Sequence, residues 1–185
     1  MKLILASGSP RRKSFLTEYG YEFSVVPSTF DEIGEKDTPK QTVEYFASSK
    51  AQDVFDKLND NSVVVLGADT IVCLDGKILG KPKDKNHAVE MLKKLSGKTH
   101  QVITAYAIIS KEQKIVDSVT TSVTFNTLSD DLIKEYVLTG SPLDKAGSYG
   151  IQDGYDLVKE YNGSLNNVIG LPIEIIKPIL DKILK

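Results

Sequence analysis

Apolar positions come in short runs and helical stripes that alternate along the chain. Lys2 to Ala6 reads as a buried strand and Tyr21 to Val26 as a second. Between them, Ser9 is placed to cap a helix with Pro10 at its first position. Phe15, Leu16 and Tyr19 supply that helix's inner face. Thr38-Pro39-Lys40-Gln41 combines a capping box with an N1 proline and predicts a longer helix. Its stripe runs through Val43, Phe46, Ala47, Ala51, Val54, Phe55 and Leu58. Ser62 to Ala68 is almost continuously apolar, as in a central strand covered on both faces. Asp75-Gly76 marks a tight hairpin between Ile71–Leu74 and Lys77–Leu79.

Further on, Ala88, Met91, Leu92 and Leu95 have helical spacing, with Gly97 as the stop. Gln101 to Ser110 and Lys114 to Asn126 are rich in β-branched residues and predict a long antiparallel pair. Ser129 caps a helix through Leu132, Ile133, Tyr136 and Val137 that ends near Gly140. Pro172 opens a C-terminal helix that Pro178 should kink or split. The pattern predicts one mixed-sheet α/β domain over residues 1–185. It leaves room for two lobes around a cleft, but composition marks no internal boundary.

Composition narrows the function. With 185 residues, 41% hydrophobic and 26% charged, the chain is an ordinary globular one. Its net charge of -2 offers no broad basic field for nucleic acid or an anionic membrane, so any anion site must be local. Cys73 is the only cysteine, which excludes an internal disulfide and suits a reducing compartment. The opening apolar run is too short for a signal segment, and no stretch approaches a membrane span. A cytoplasmic protein is expected. His87 and His100 have no Cys or His neighbour, which speaks against zinc.

Four constellations carry chemistry. Ser7-Gly8-Ser9-Pro10-Arg11-Arg12-Lys13 is a strand-to-helix turn, where outward N–H groups and the helix dipole attract anions. Gly8 permits close approach, and the arginines offer planar forks to phosphate oxygens. The plainer alternative is a capped helix with a solvated basic first turn. Cations there oppose the dipole, so phosphate binding is preferred. No Walker A pattern occurs. Second, Gly67-Ala68-Asp69-Thr70 follows the most apolar strand, so Asp69 is expected beyond its carboxyl end. A carboxylate there activates water or holds a divalent cation; by position alone an ordinary turn aspartate is an equal reading.

Third, Lys50 lies on the apolar stripe of its helix, and an inward ammonium needs a phosphate or carboxylate partner. Snorkelling of its stem is an equal alternative. Lys81, in Gly80-Lys81-Pro82, neutralises phosphate charge or is a solvated loop lysine, the commoner case. Fourth, Asp144-Lys145-Ala146-Gly147-Ser148-Tyr149-Gly150-Ile151-Gln152 reads as a binding loop. The Gln152 amide complements the N3–H and adjoining carbonyl of uracil or thymine, although a lone loop glutamine is more often surface. Glu32 is a second carboxylate for a metal, or merely part of a solvated acidic loop.

In order and spacing, these motifs together with Leu95-Ser96-Gly97 and Gly170-Leu171-Pro172 resemble the Maf family over nearly the whole chain. The resemblance implies an elongated mixed sheet flanked by helices around a central cleft, similar to inosine triphosphate pyrophosphatases. It implies metal-dependent hydrolysis of nucleoside triphosphates to the monophosphate and pyrophosphate, with Mg²⁺ or Mn²⁺. By position, Asp69 is implied as proton acceptor and Lys81 as a phosphate-supporting lysine. Ser7, Ser9, Arg11, Lys13 and Lys50 are implied as phosphate-cleft residues, and Glu32 with Asp69 as the metal site. Arg12, Thr70 and Gln152 match the trio of the dTTP/UTP branch. A link to inhibition of septum formation and a homodimer are also implied. After Gln152 the chain reads Asp153-Gly154-Tyr155-Asp156, where the family usually continues with small residues. That departure touches the base side of the site and keeps modified nucleotides such as 7-methyl-GTP as an alternative. A nucleotide-binding regulator of septum formation that needs no catalysis is the alternative of a different class.

Overall fold

The computed structural model describes all 185 residues. Seven strands form one mixed sheet in the order β2-β1-β3-β5-β6-β7, with β4 against β3. The strands are β1 (Lys2–Leu5), β2 (Phe23–Val25), β3 (Val63–Leu74), β4 (Lys77–Leu79), β5 (Thr99–Ile109), β6 (Lys114–Phe125) and β7 (Val158–Asn162). The helices are α1 (Pro10–Glu18), α2 (Pro39–Leu58), α3 (Lys85–Leu95), α4 (Asp130–Leu138), α5 (Leu165–Ile169) and α6 (Ile173–Leu184). β1 pairs in parallel with both β2 and β3, whereas β3 with β4 and β6 with β7 are antiparallel. The expected α/β mixed sheet flanked by helices is therefore present.

The chain divides into two compact units. The first comprises residues 1–69, 104–119 and 170–185; the second comprises 70–103 and 120–169. The division falls inside β3, β5 and β6, which each begin in one unit and end in the other.

In the first unit, β1 and the start of β3 are buried and α2 packs on them through Val43, Phe46, Ala47, Ala51 and Val54. Gly67 sets this packing. A Cβ there would sit 2.6 Å from the Ala47 carbonyl oxygen and 2.8 Å from the Ala51 nitrogen, so only glycine lets the helix backbone approach so closely. Thr38 caps α2, its hydroxyl accepting from the Gln41 N–H. In the second unit, α3 and α4 pack around Leu92, Leu95, Phe125, Ile133 and Tyr136. The β3–β4 hairpin turns on Asp75 and Gly76, both at positive φ (50° and 76°), the backbone a two-residue primed turn requires.

Several expectations are corrected. The strand expected to stop at Ala68 continues unbroken to Leu74. Tyr19 was expected on the inner face of α1 but is 38% exposed, because the helix ends one residue earlier. Ser9 occupies the N-cap position of α1 without a side-chain capping bond. Pro178 lies inside α6 without splitting it; Ile173, Ile176, Leu180 and Ile183 are buried while the proline itself is exposed. β7 and α5 were not anticipated. β7 reads Val-Lys-Glu-Tyr-Asn and is largely exposed, so it shows no apolar alternation.

Candidate functional site

Two strands and two helices build the chemistry of the first unit. Gly67 and Asp69 are two residues apart on β3 and so share the face toward α2. The close approach that Gly67 permits brings Lys50, on the inner stripe of α2, within 2.7 Å of an Asp69 carboxylate oxygen. Both side chains are nearly sequestered, at 14% and 8% exposure. The same Lys50 ammonium donates to Glu32 Oε1 at 2.6 Å. One cation thus draws two carboxylates from different parts of the chain to a single point.

Glu32 is exposed and lies outside regular structure, yet its segment is fastened to α2 on both sides. The Ser28 hydroxyl and the Thr29 N–H donate to the Asp53 carboxylate at 2.7 and 2.9 Å. Phe30 packs edge-on against Tyr45 with ring centroids 5.8 Å apart. Beyond Glu32, the Lys36 N–H donates to the Thr42 hydroxyl at 2.9 Å, and its ammonium lies 3.8 Å from the Tyr45 ring centroid.

The strand-to-helix turn lies in the same unit. Ser7 is buried and its hydroxyl accepts from the Ser9 N–H at 3.3 Å and from an Arg12 terminal nitrogen at 3.0 Å. Arg12 Nε donates to the Gly170 carbonyl at 2.9 Å. The guanidinium expected to offer a planar fork to phosphate is braced by the protein on two sides, an arrangement that fixes its plane. Arg11 and Lys13 are half-buried on the first turn of α1. Electrostatics ties the turn to Asp69. Burial raises the Asp69 carboxyl above its ordinary value, Lys50 pulls it back down, Glu32 raises it further and Arg12 lowers it. Burial likewise lowers the Arg12 guanidinium, with Asp69 opposing that shift. A sequestered carboxylate of raised proton affinity beside fixed cations is suited to accept a proton from water.

The expectation that Asp69 lies beyond the carboxyl end of its strand is corrected: it sits in mid-strand. Its exposure to chemistry comes from the glycine two residues earlier and the lysine opposite. The expected inward partner of Lys50 is a pair of carboxylates from this chain.

The remaining candidates belong to the second unit. Thr70 follows Asp69 and is half-buried, on the opposite face of the strand. Lys81 is exposed just past β4. The carbonyl of its neighbour Gly80 accepts from the Gly147 N–H at 3.1 Å. Gly147 has φ 68°, and a Cβ there would collide with the Val72 side chain at 2.8 Å, so the expected binding loop is anchored at a position only glycine fits. Gln152 is exposed in a turn that the Gly150 carbonyl closes by accepting the Asp153 N–H at 3.1 Å.

Sequence reasoning missed the interactions that hold this turn, which Tyr136, Ser141, Lys145 and Asp153 make with one another. Tyr136 registered only as an inner-face residue of α4, and no local pattern signals that its hydroxyl reaches residue 153.

No group of three or more His, Cys, Asp or Glu side chains is placed to hold an ion. Asp69 and Glu32 offer two oxygen donors already converging on a cation. That suits a hard divalent ion, which takes one or two carboxylates and completes its shell with water and substrate phosphates. No helix is long and apolar enough to cross a membrane.

Comparison with known proteins adds lineage to this geometry. The family model described as Maf-like protein matches residues 2–183. The dTTP/UTP pyrophosphatase of Clostridioides difficile (strain 630) is 46% identical, covering 98% of this chain and 95% of that one. The dTTP/UTP pyrophosphatase of Salmonella typhimurium is 49% identical, covering 92% of this chain and 87% of that one. That of Pyrococcus furiosus is 48% identical over 97% of this chain and 94% of its own. Among solved structures, the Staphylococcus aureus Ham1 protein has the same kind of fold, with TM-score 0.50 at 16% identity over 69% of this chain and 73% of that one.

Proposed function

From its membership of the Maf-like protein family, to which this chain belongs, we propose that the protein hydrolyses dTTP and UTP to the monophosphate and pyrophosphate. The observation that carries the chemistry is the Glu32–Lys50–Asp69 constellation, two carboxylates on one ammonium beside a braced arginine. The dTTP/UTP pyrophosphatases at 46–49% identity over most of both chains support the substrate.

In this reading a water oxygen forms a bond to the α-phosphorus as the bond from that phosphorus to the bridging oxygen breaks. The water's proton passes to an Asp69 carboxylate oxygen, and the electron pair of the broken bond leaves on pyrophosphate. Arg11, Arg12, Lys50 and Lys81 offset the charge of the leaving group, with Ser7, Ser9 and Lys13 as further donors to phosphate. Lys50 has a double task, since it holds Asp69 in the free protein and turns to phosphate when substrate enters. Asp69 and Glu32 would hold a Mg²⁺ or Mn²⁺ ion. Such an ion would offset triphosphate charge and make a bound water more acidic. Arg12, Thr70 and Gln152 read the substrate, Gln152 by pairing its amide with the uracil or thymine edge.

The test is product analysis on dTTP, UTP, CTP and 7-methyl-GTP, each with Mg²⁺, with Mn²⁺ and with neither, in an assay that separates pyrophosphate from orthophosphate. Monophosphate plus pyrophosphate from dTTP and UTP is the expected result. Orthophosphate as the product would refute the bond cleaved, and turnover of CTP or 7-methyl-GTP instead would refute the base reading. Asp69→Asn should lower turnover about 10²–10⁴-fold, the usual contribution of a positioned proton acceptor.

A further inference from the structure

We propose that Tyr136, through Asp153, is the positioning residue that fixes the Gln152 turn and so sets how tightly the site holds a uracil base. The proposal rests on the base-reading role of Gln152 given above.

The turn is clamped at both ends by one hydroxyl. Tyr136 is fully buried on α4, and its hydroxyl donates to Asp153 Oδ2 at 2.6 Å while accepting from the Gly150 N–H at 2.9 Å. Gly150 and Asp153 are the first and last residues of the turn that presents Gln152. The Ser141 hydroxyl donates to the same Asp153 oxygen at 2.7 Å. Lys145 donates to the Ser141 hydroxyl at 2.9 Å and to its carbonyl at 2.7 Å, and forms an ion pair with Asp153 at 3.6 Å. Within the turn, Ile151 packs against the core that includes Leu92 and Phe125, whereas Gln152 stays exposed. Gly150 is required by the same arrangement. A Cβ there would meet the Asp153 carboxylate at 2.7 Å and Lys145 Cε at 2.8 Å. A satisfied polar network of this kind is rigid because each member fixes the next.

Rigidity acts on the reach of the amide, not on its choice of base. Uracil and thymine present a donor at N3 and an acceptor at O4, and a glutamine amide carries one acceptor and one donor side by side to meet them. The amide turns over about its own side-chain bond whatever the backbone does, so a held turn does not choose between uracil and cytosine. What Tyr136 and Asp153 fix is the point from which the amide reaches the base, so the turn need not be ordered when the nucleotide binds.

The experiment measures kcat and KM for UTP in Tyr136→Phe, Asp153→Ala and Gln152→Ala, beside the unaltered protein. Asp153→Asn, which keeps an oxygen that accepts from Tyr136, serves as the rescue variant. Expected is a rise of roughly tenfold in the KM for UTP in Tyr136→Phe and Asp153→Ala, the factor of one misplaced hydrogen bond, with kcat little changed. The KM should partly recover in Asp153→Asn. Should Tyr136→Phe fail to fold, Asp153→Ala carries the test, because Asp153 is only half-buried. An unchanged KM in the clamp variants, with KM raised in Gln152→Ala, overturns the clamp alone. An unchanged KM in Gln152→Ala overturns the clamp together with the base reading it rests on.

Discussion

Replacing Lys50 by methionine isolates the internal cation of the site. The pair with Asp69 is nearly sequestered, with side chains 14% and 8% exposed, so removing the lysine strands a carboxylate in the protein interior. Breaking such a pair costs about 3–5 kcal/mol. The pair with Glu32, whose side chain is 47% exposed, adds less than about 1 kcal/mol. For a chain of this length each kcal/mol moves the melting temperature by about 2–4 °C, which places Lys50→Met roughly 6–20 °C below the unaltered protein. The deficit depends on pH. Burial already raises the Asp69 carboxyl, and losing Lys50 raises it further. A carboxyl whose folded-state value is raised favours the fold below the ordinary aspartate range, and that stability is lost as pH rises through the raised value. The deficit is therefore small near pH 4 and complete at pH 8. Manganese should reverse much of it. An ion at a hundred times its dissociation constant returns about 2.7 kcal/mol, and in the variant it meets two carboxylates with no ammonium to displace. Thermal melts at pH 8, with and without Mn²⁺, test this. A variant melting within 2 °C of the unaltered protein, or equal Mn²⁺ shifts in both, refutes the reasoning.

Further outcomes follow from the same geometry. Asp69→Asn removes a carboxylate whose burial outweighs its partners, so it should raise the melting temperature at pH 8 while lowering turnover, with the stability gain fading toward pH 4. Melts across that range check it. Gly67→Ala places a methyl against the α2 backbone at 2.6 Å and should cost about 1–3 kcal/mol by urea unfolding, with activity lost as Lys50 is pushed from Asp69. His100, 2% exposed, has its imidazole lowered to about 4 by burial and stays neutral. The unfolded chain takes up that proton first as pH falls below about 6.5, so stability drops by roughly 2–3 kcal/mol between pH 7 and pH 4.5. A slope removed in His100→Phe supports this, and an unchanged slope refutes it. Gly150→Ala should reproduce the Asp153→Ala rise in the KM for UTP, because the added methyl fills the space of the Asp153 carboxylate.

How far the fold was legible depended on what each signal measures. Thr38-Pro39, Asp75-Gly76 and Ser129 mark turns and caps through local backbone chemistry, and each lies where expected. The α3 stripe of Ala88, Met91, Leu92 and Leu95 is wholly buried because a helix against one core obeys a single period. β7 eluded the reading because an exposed strand needs no apolar face; its register is set by β6 instead. The division into two units also left no mark, since it falls within three strands, where continuous β-branched sequence is what each unit requires.

The site divides along the same line. Lys50 was legible as an anomaly, an ammonium on an apolar stripe, and its partners turned out to be Asp69 and Glu32. Asp69 was legible by its neighbours but misplaced along the strand, because the apolar run was expected to end at Ala68, whereas it continues to Leu74 with Gly67 at the point where a helix presses on a sheet. A glycine before a chemical residue therefore has two readings, a turn or a close approach, and only the partner across the contact decides between them. The clamp on Gln152 lay outside any local signal for a related reason. Its hydroxyl and its carboxylate are 17 residues apart, and nothing in either neighbourhood requires the other. What sequence does carry is the indirect trace, a glycine at 150 whose missing side chain leaves the room that Asp153 and Lys145 occupy.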